Sequence, residues 1–461
     1  MTAIQHSNDT FPQILTKPLI IMTLTVIAIY IFSGIGVLVY LTLAVYSLRG
    51  VKEAVQALCI LFMLNLINHG IMPPFGGQSM IRWLVFFAAC GRIIWERQFH
   101  QIRNTELTIP LFVFSFVVLL FSILFSYVPS ISISKIIMFS VGVYSILTAF
   151  SITSSMKDYW ESWFFTFMAF IVFVSVPLYF SGLGYFRHGP AHGFQGILYH
   201  SQSFGAFLAP VAAWTTLLLF REGKKPLAVI AVCLLSWFFL FATGTRTAFL
   251  AAVLGIGIIL LIDMVKGSDK SILVRWLFSH PVRIALVSLI VVGVTVNFTF
   301  IQGFIGDFTA KYHEVESYYG EYQRSRGFLI EASMENFRDH PVTGIGFGID
   351  SNYENVRVEQ DAFFGIPIAA TIEKGFLLSA ALEELGIAGF AVFLFLLFAI
   401  IRYVFIGNDL ALLAVFLASL FLNIGEMIIF SFGGLGLYSW LLVGFATLST
   451  HHTRSVEEGN A

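Results

Sequence analysis

The sequence predicts an all-α fold: a polytopic transmembrane helical bundle of about 12–14 helices with one large extracytoplasmic loop. Three observations predict it. Hydrophobic residues make up 57% of the 461-residue chain and charged residues only 11%, against about 25% charged in a typical soluble chain. Mean hydropathy is +0.85. The apolar residues fall in continuous runs near the ~20-residue length that crosses a hydrocarbon core as a helix, without the alternation a membrane barrel requires. Lipid bilayer is therefore the main solvent, and soluble-enzyme classes are excluded.

In chain order the runs lie at about 18–33, 35–48, 52–68, 79–94, 107–127, 131–152, 160–181, 197–220, 227–242, 246–265, 284–300, 376–401, 409–424 and 427–447. The first two form one stretch interrupted only by Ser33-Gly34-Ile35-Gly36, which reads either as a short hairpin or as a single tilted span. The N-terminus lacks a basic region and a small-residue cleavage site before the run at Pro18, so the first helix is expected to be retained. This organises the chain as about eleven N-terminal transmembrane helices over 1–300, a large loop over 301–375, and C-terminal helices with a short tail over 376–461.

Lysine and arginine set the expected orientation. With the N-terminus inside, the inner segments hold sixteen of them, whereas the short outer segments hold only Arg82, Lys135, Arg187 and Arg246. The bias predicts cytoplasmic termini and an outer long loop. A loop of this length is expected to carry helices and function. The stretch from Arg326 to Asp339 places Leu329, Ala332 and Phe337 near helical spacing and reads as an amphipathic helix on the outer leaflet. The net charge of −1 is distributed by topology, so nucleic acid is not an expected partner. Cys59, Cys90 and Cys233 all sit in apolar runs, where packing is the expected role.

Several polar residues are candidates for chemistry. Arg246, in Ala242-Thr-Gly-Thr-Arg-Thr-Ala248, sits where one run ends and the next begins, and reads either as a snorkelling interfacial arginine or as an anion binder. Arg324 and Arg326 follow Tyr318-Tyr-Gly-Glu-Tyr322, and guanidinium suits bidentate phosphate contact. Gly344-Ile-Gly-Phe-Gly348 lacks the Lys-Ser/Thr of a phosphate loop and reads as a turn. Glu373 and Lys374 precede a helix start, His200 and His192 flank the entrance to a span, Arg187 lies on the same outer side, and Glu383-Glu384 lie one turn inside another span. Intramembrane ionisable groups are functional candidates by default, although His200 equally suits a cap. No metal-ligand spacing occurs, so neither a metal nor another cofactor is expected.

Taken together, Phe194-Gln-Gly-Ile-Leu-Tyr-His-Ser-Gln-Ser-Phe-Gly205, Thr243-Gly-Thr-Arg-Thr-Ala-Phe-Leu250, Arg326 followed by Asp339-His-Pro-Val-Thr-Gly-Ile-Gly-Phe-Gly348, and Leu377-Leu-Ser-Ala-Ala-Leu-Glu-Glu-Leu-Gly-Ile-Ala-Gly389 resemble the O-antigen ligase and polymerase superfamily. The resemblance implies a glycosyltransferase-C-like enzyme of the bacterial inner membrane. Its donor would be an undecaprenyl-diphosphate-linked glycan and its acceptor a second glycan, with a chain-length regulator as a further partner. It also implies that Arg246 and Arg326 stand at diphosphate-contacting positions. Ligases of the family often carry His-Asn where this chain has Glu373-Lys-Gly375, which favours repeat-unit polymerase over ligase to lipid A core. On this reading Glu373, Arg326 and Arg246 are catalytic, and Arg324, Lys374, His200 and Arg187 bind substrate. The rival classes are a transporter or flippase, whose signature is broken helices, internal repeats and paired intramembrane charges, and a non-catalytic assembly partner.

Overall fold

The computed structural model describes residues 11–75, 77–100, 105–185, 193–221, 224–265, 327–353, 358–360, 367–370 and 374–459. Its helices are α1 (Thr16–Ile31), α2 (Gly36–Ser47), α3 (Val51–Asn65), α4 (Gln78–Arg97), α5 (Thr105–Leu124), α6 (Pro129–Ile152), α7 (Lys157–Tyr179), α8 (Ser201–Phe220), α9 (Leu227–Ala242), α10 (Arg246–Val265), α11 (Phe328–Asp339), α12 (Leu377–Ile406), α13 (Leu410–Phe421) and α14 (Leu435–Gly459). Six helices among the described residues, α5, α6, α7, α8, α10 and α12, are long and apolar enough to cross a membrane. The chain is an all-α multi-pass membrane protein.

Local sequence explains several of the boundaries. Pro129 occupies the first position of α6, where its missing N–H costs nothing. Asp409 caps α13 by accepting from the Ala411 and Leu412 amides at 3.0 and 3.2 Å, and α9 follows Pro226 directly. The first apolar stretch is two helices, α1 and α2, parted by a 3-10 turn at Ser33–Ile35. At 1.5 Å per residue they measure about 24 and 18 Å, each short of a ~30 Å core. Helix α1 lies against α7, and α2 against α3 and α4.

Two expectations are revised. The run expected from 427 is not helical until Leu435, because Gly425–Gly434 forms a buried irregular connection. Its backbone is satisfied internally: the Asn423 side chain accepts from Ile428 and Ile429 N–H at 2.9 and 3.0 Å, and the Trp440 indole donates to the Ile429 carbonyl at 2.8 Å. Non-helical backbone at such depth requires enclosure of this kind. The second revision is a short antiparallel ribbon, β1 (Val358–Gln360) with β2 (Pro367–Ala370), in the long loop. The run expected at 284–300 lies outside the described residues.

The helices alternate between two ends. One end gathers Lys157, Glu161, Arg221 and Asp409, with Lys157 2.8 Å and Arg221 3.3 Å from the Asp409 carboxylate. The other, hereafter the loop end, carries 66–72, 180–185, 193–200, 243–246, 327–353 and 374–376. The core between them is aromatic, with Phe114, Phe139, Phe347, Phe393 and Phe430 in mutual ring contact.

Candidate functional site: a broken helix clasped by the loop

At the loop end α12 is not one helix. Gly386 has φ 58° and ψ −175°, a region essentially confined to glycine. In an unbroken helix the Ile387 and Ala388 N–H groups donate to the carbonyls of Glu383 and Glu384, four residues back. Here they donate to Pro341 and Val342 carbonyls at 2.8 and 3.4 Å, while the Glu383 and Glu384 carbonyls accept from Ile345 and Gly346 N–H at 2.9 and 3.1 Å. The Gly344-Ile-Gly-Phe-Gly348 segment, with positive φ at all three glycines, therefore pairs backbone-to-backbone with the break.

Two side chains grip the end of that segment. Glu384, 1% exposed, accepts from the Gly348 N–H at 2.6 Å, and Lys135 from α6 donates to the Gly348 carbonyl at 2.7 Å. The other Glu384 oxygen, Oε1, is buried without a hydrogen-bond partner among the described residues. Glu383, fully buried, accepts from Lys374 Nζ at 2.5 Å and from Asn336 Nδ2 at 2.7 Å. Lys374 also donates to Ser351 Oγ at 3.1 Å, and Asn336 to the Ser351 carbonyl at 2.8 Å. Helix α11 thus turns Leu329, Ser333 and Asn336 toward the start of α12, where its buried face packs on protein. Beside it Tyr127 hydrogen-bonds His340 at 2.7 Å and stacks on Tyr353 with centroids 4.0 Å apart.

The second cluster at this end joins the two motifs around 194–205 and 243–250. Phe194 N–H donates to the Ala242 carbonyl at 3.0 Å. Gly205 leaves room for Thr245, since a Cβ there would lie 1.9 Å from Thr245 Oγ1. Thr243 Oγ1 is 2.6 Å from Thr245 Oγ1 and accepts from the Thr245 N–H at 3.2 Å, a short polar turn that launches α10 with Arg246 at its first position. Arg246 is half-buried there. His200 caps α8, its Nδ1 accepting from the Gln202 N–H at 3.1 Å.

Of the residues expected to act, the structure therefore places Arg246 and His200 in the second cluster and Lys374 in the first. The Lys374 side chain is buried and held by Glu383 and Ser351. Glu373, Arg326, Arg324 and Arg187 lie outside the described residues. Asn336, Ser351 and Lys135 escaped sequence reasoning as site members. Only Lys135 left a signal, as an isolated cation in an apolar run. Glu383 and Glu384 were visible as intramembrane acids, but their partners were not.

An all-α membrane bundle whose late helix is broken and clasped by a long loop, with a buried lysine–glutamate pair at the break, is the architecture of an enzyme working on membrane-borne substrate as much as of a carrier. Residues 231–394 match the Wzy_C family, described as O-antigen ligase. That segment spans Arg246, the Gly344–Gly348 loop, Lys374 and the Gly386 break. The match covers about a third of the chain and supports a membrane glycan-processing protein of the ligase and polymerase kind. No curated protein matches the chain.

Proposed function

We propose that this protein transfers a glycan from a polyprenyl diphosphate donor to a sugar hydroxyl at the loop end of the bundle, as a repeat-unit polymerase of surface polysaccharide. One observation carries the reading: the O-antigen ligase domain at 231–394 coincides with the elements that the structure ties together there. The acceptor hydroxyl oxygen forms a bond to the anomeric carbon of the donor sugar, and the bond from that carbon to the diphosphate oxygen breaks. Guanidinium groups of Arg246 and Arg326 offset the charge developing on the departing diphosphate. Glu373 accepts the hydroxyl proton, and Arg324, Arg187 and His200 contact substrate. The site opens to the bilayer, because a polyprenyl tail does not cross water cheaply. The orientation is that of the charge bias, with termini in the cytoplasm and the loop end in the periplasm of an inner membrane. A chain-length regulator is a further partner.

The break at Gly386 and the buried Lys374–Glu383 pair belong to the signature set out for a transporter, so that reading keeps one observation in its favour. The test is a surface-glycan profile of a deletion strain complemented with wild type, Arg246→Ala, Arg326→Ala or Glu373→Gln, with membrane levels matched. Single repeat units after deletion, restored to polymer by wild type alone, are the expected result. Restoration by all three variants removes these residues from the site. A deletion without effect on glycan turns the argument to transport.

A further inference from the structure

Among the described residues, the Glu383 side chain gathers two separate pieces of the long loop directly and a third through them. Asn336 brings α11, Lys374 brings the strand of chain that enters α12, and Ser351, bonded to both Asn336 and Lys374, brings the segment that follows the glycine loop. Two of these pieces run directly into proposed catalytic positions. Lys374 is covalently next to Glu373, and α11 begins two residues after Arg326.

The energetics argue against stability as the reason for this pair. A fully buried lysine–glutamate pair costs desolvation that its mutual attraction only about repays, and well-packed apolar residues in its place are often neutral or stabilising. An apolar pair fills the same space. What it does not supply is direction: an ammonium 2.5 Å from one carboxylate oxygen and an amide 2.7 Å from the other fix the angle at which α11 and the 374 segment meet. Catalysis needs such fixing, because displacement of a reacting group by about 1 Å costs on the order of a hundredfold in rate.

We infer that Glu383 is a positioning residue for the transfer reaction, holding the chain at Lys374 and helix α11 in fixed relation so that Glu373 and Arg326 meet the same substrate. The inference rests on the proposed function. Glu383 itself touches no substrate; it acts through Lys374 and Asn336.

The test uses full-length protein in proteoliposomes, with lipid-linked repeat unit extracted from the deletion strain as donor. Three variants are compared with wild type: Glu383→Gln, the apolar pair Lys374→Met/Glu383→Leu, and the swap Lys374→Glu/Glu383→Lys. The apolar pair is expected to insert and unfold like wild type while its kcat falls about a hundredfold and its KM for donor moves less than about threefold. The swap, which restores opposite charges across the same gap, is expected to recover about tenfold of that loss, and Glu383→Gln to be at least as slow as the apolar pair. A folded apolar pair that transfers at the wild-type rate overturns the inference, as does a loss confined to KM. A wild type that transfers nothing overturns the proposed function and the inference with it, whereas an active wild type equalled by the apolar pair overturns the inference alone.

Discussion

Replacing Gly386 by alanine tests the clasped break directly. At φ 58° and ψ −175° a residue with a Cβ carries backbone strain of about 1–3 kcal/mol. The added carbon would also lie 2.3 Å from the Val342 carbonyl carbon and oxygen. Both are backbone atoms, so no rotamer change relieves the overlap. The cheapest escape is for α12 to straighten and shed the loop, which forfeits the bonds from Ile345 and Gly346 to Glu383 and Glu384 and the bond from Ile387 to Pro341, each about 1 kcal/mol net. By either route, docking of 341–349 weakens by up to about 3 kcal/mol, on the order of a hundredfold in the docking equilibrium. Amide hydrogen exchange in lipid nanodiscs reads this at the Ile345 and Gly346 amides, whose protection should fall by up to that factor while α8 amides hold theirs. Gly91→Ala is the control: it sits inside α4 with nothing within 4 Å of the added carbon, and alanine there favours the helix by about 1 kcal/mol. Equal protection in Gly386→Ala and wild type would refute the clasp.

Three further substitutions probe other joints. Asp409→Asn strands Lys157 and Arg221 at the basic end beside Glu161 and should cost about 3 kcal/mol, seen as a lower thermal midpoint in detergent. Burial raises the Asp409 carboxyl, but Lys157 and Arg221 outweigh it and hold the group well below its ordinary 3.8; this stabilisation is therefore complete above 3.8 and fades only as pH falls further, so the variant's deficit should shrink in acid, below 3.8. Gly205→Ala drives a carbon to 1.9 Å from Thr245 Oγ1 and should lower stability by about 1–3 kcal/mol, with part recovered by adding Thr245→Ala. Asn68→Ala removes the amide that donates to the Leu183 carbonyl at 2.6 Å and accepts from Gly70 N–H at 2.9 Å, and should cost about 2 kcal/mol by the same midpoint assay.

Legibility in the sequence followed the range of the interaction that decides each element. Helices α9 and α10 were expected at 227–242 and 246–265 and occupy those residues, because Pro226 and the Thr243-Gly-Thr turn act locally. The segment 427–434 was expected to be helical and is not: an apolar run enclosed as irregular chain has the same composition as an apolar helix, and what separates them here is Asn423 and Trp440 satisfying its backbone. The break in α12 was hidden for the same reason. A glycine within an apolar run is ordinarily tolerated as helix, and Gly386 departs only because a loop some forty residues upstream supplies its neighbours' hydrogen bonds. Lys374 was read as a substrate-binding cation, and its pairing with Glu383 was not legible because the two become adjacent only once α12 has docked on the loop.

The destination of those hydrogen bonds also bears on function. Carriers break helices to expose carbonyls and N–H groups to a solute, leaving acceptors that an ion can occupy. In this protein the four backbone groups freed at the break, the Glu383 and Glu384 carbonyls and the Ile387 and Ala388 N–H groups, are all taken by residues 341–346. Each carbonyl of that set accepts a loop N–H instead of standing open to a solute. The break exchanges two helical bonds for four loop bonds and gains a fixed seat for the loop. A fixed seat has its use where parts of a site on separate segments must hold one arrangement through a bond-making step. A carrier, by contrast, needs its gating segments to release, and every bond in the exchange, together with the Glu384 and Lys135 grip on Gly348, opposes release. The geometry of the break thus weighs toward the transferase even though its presence alone does not.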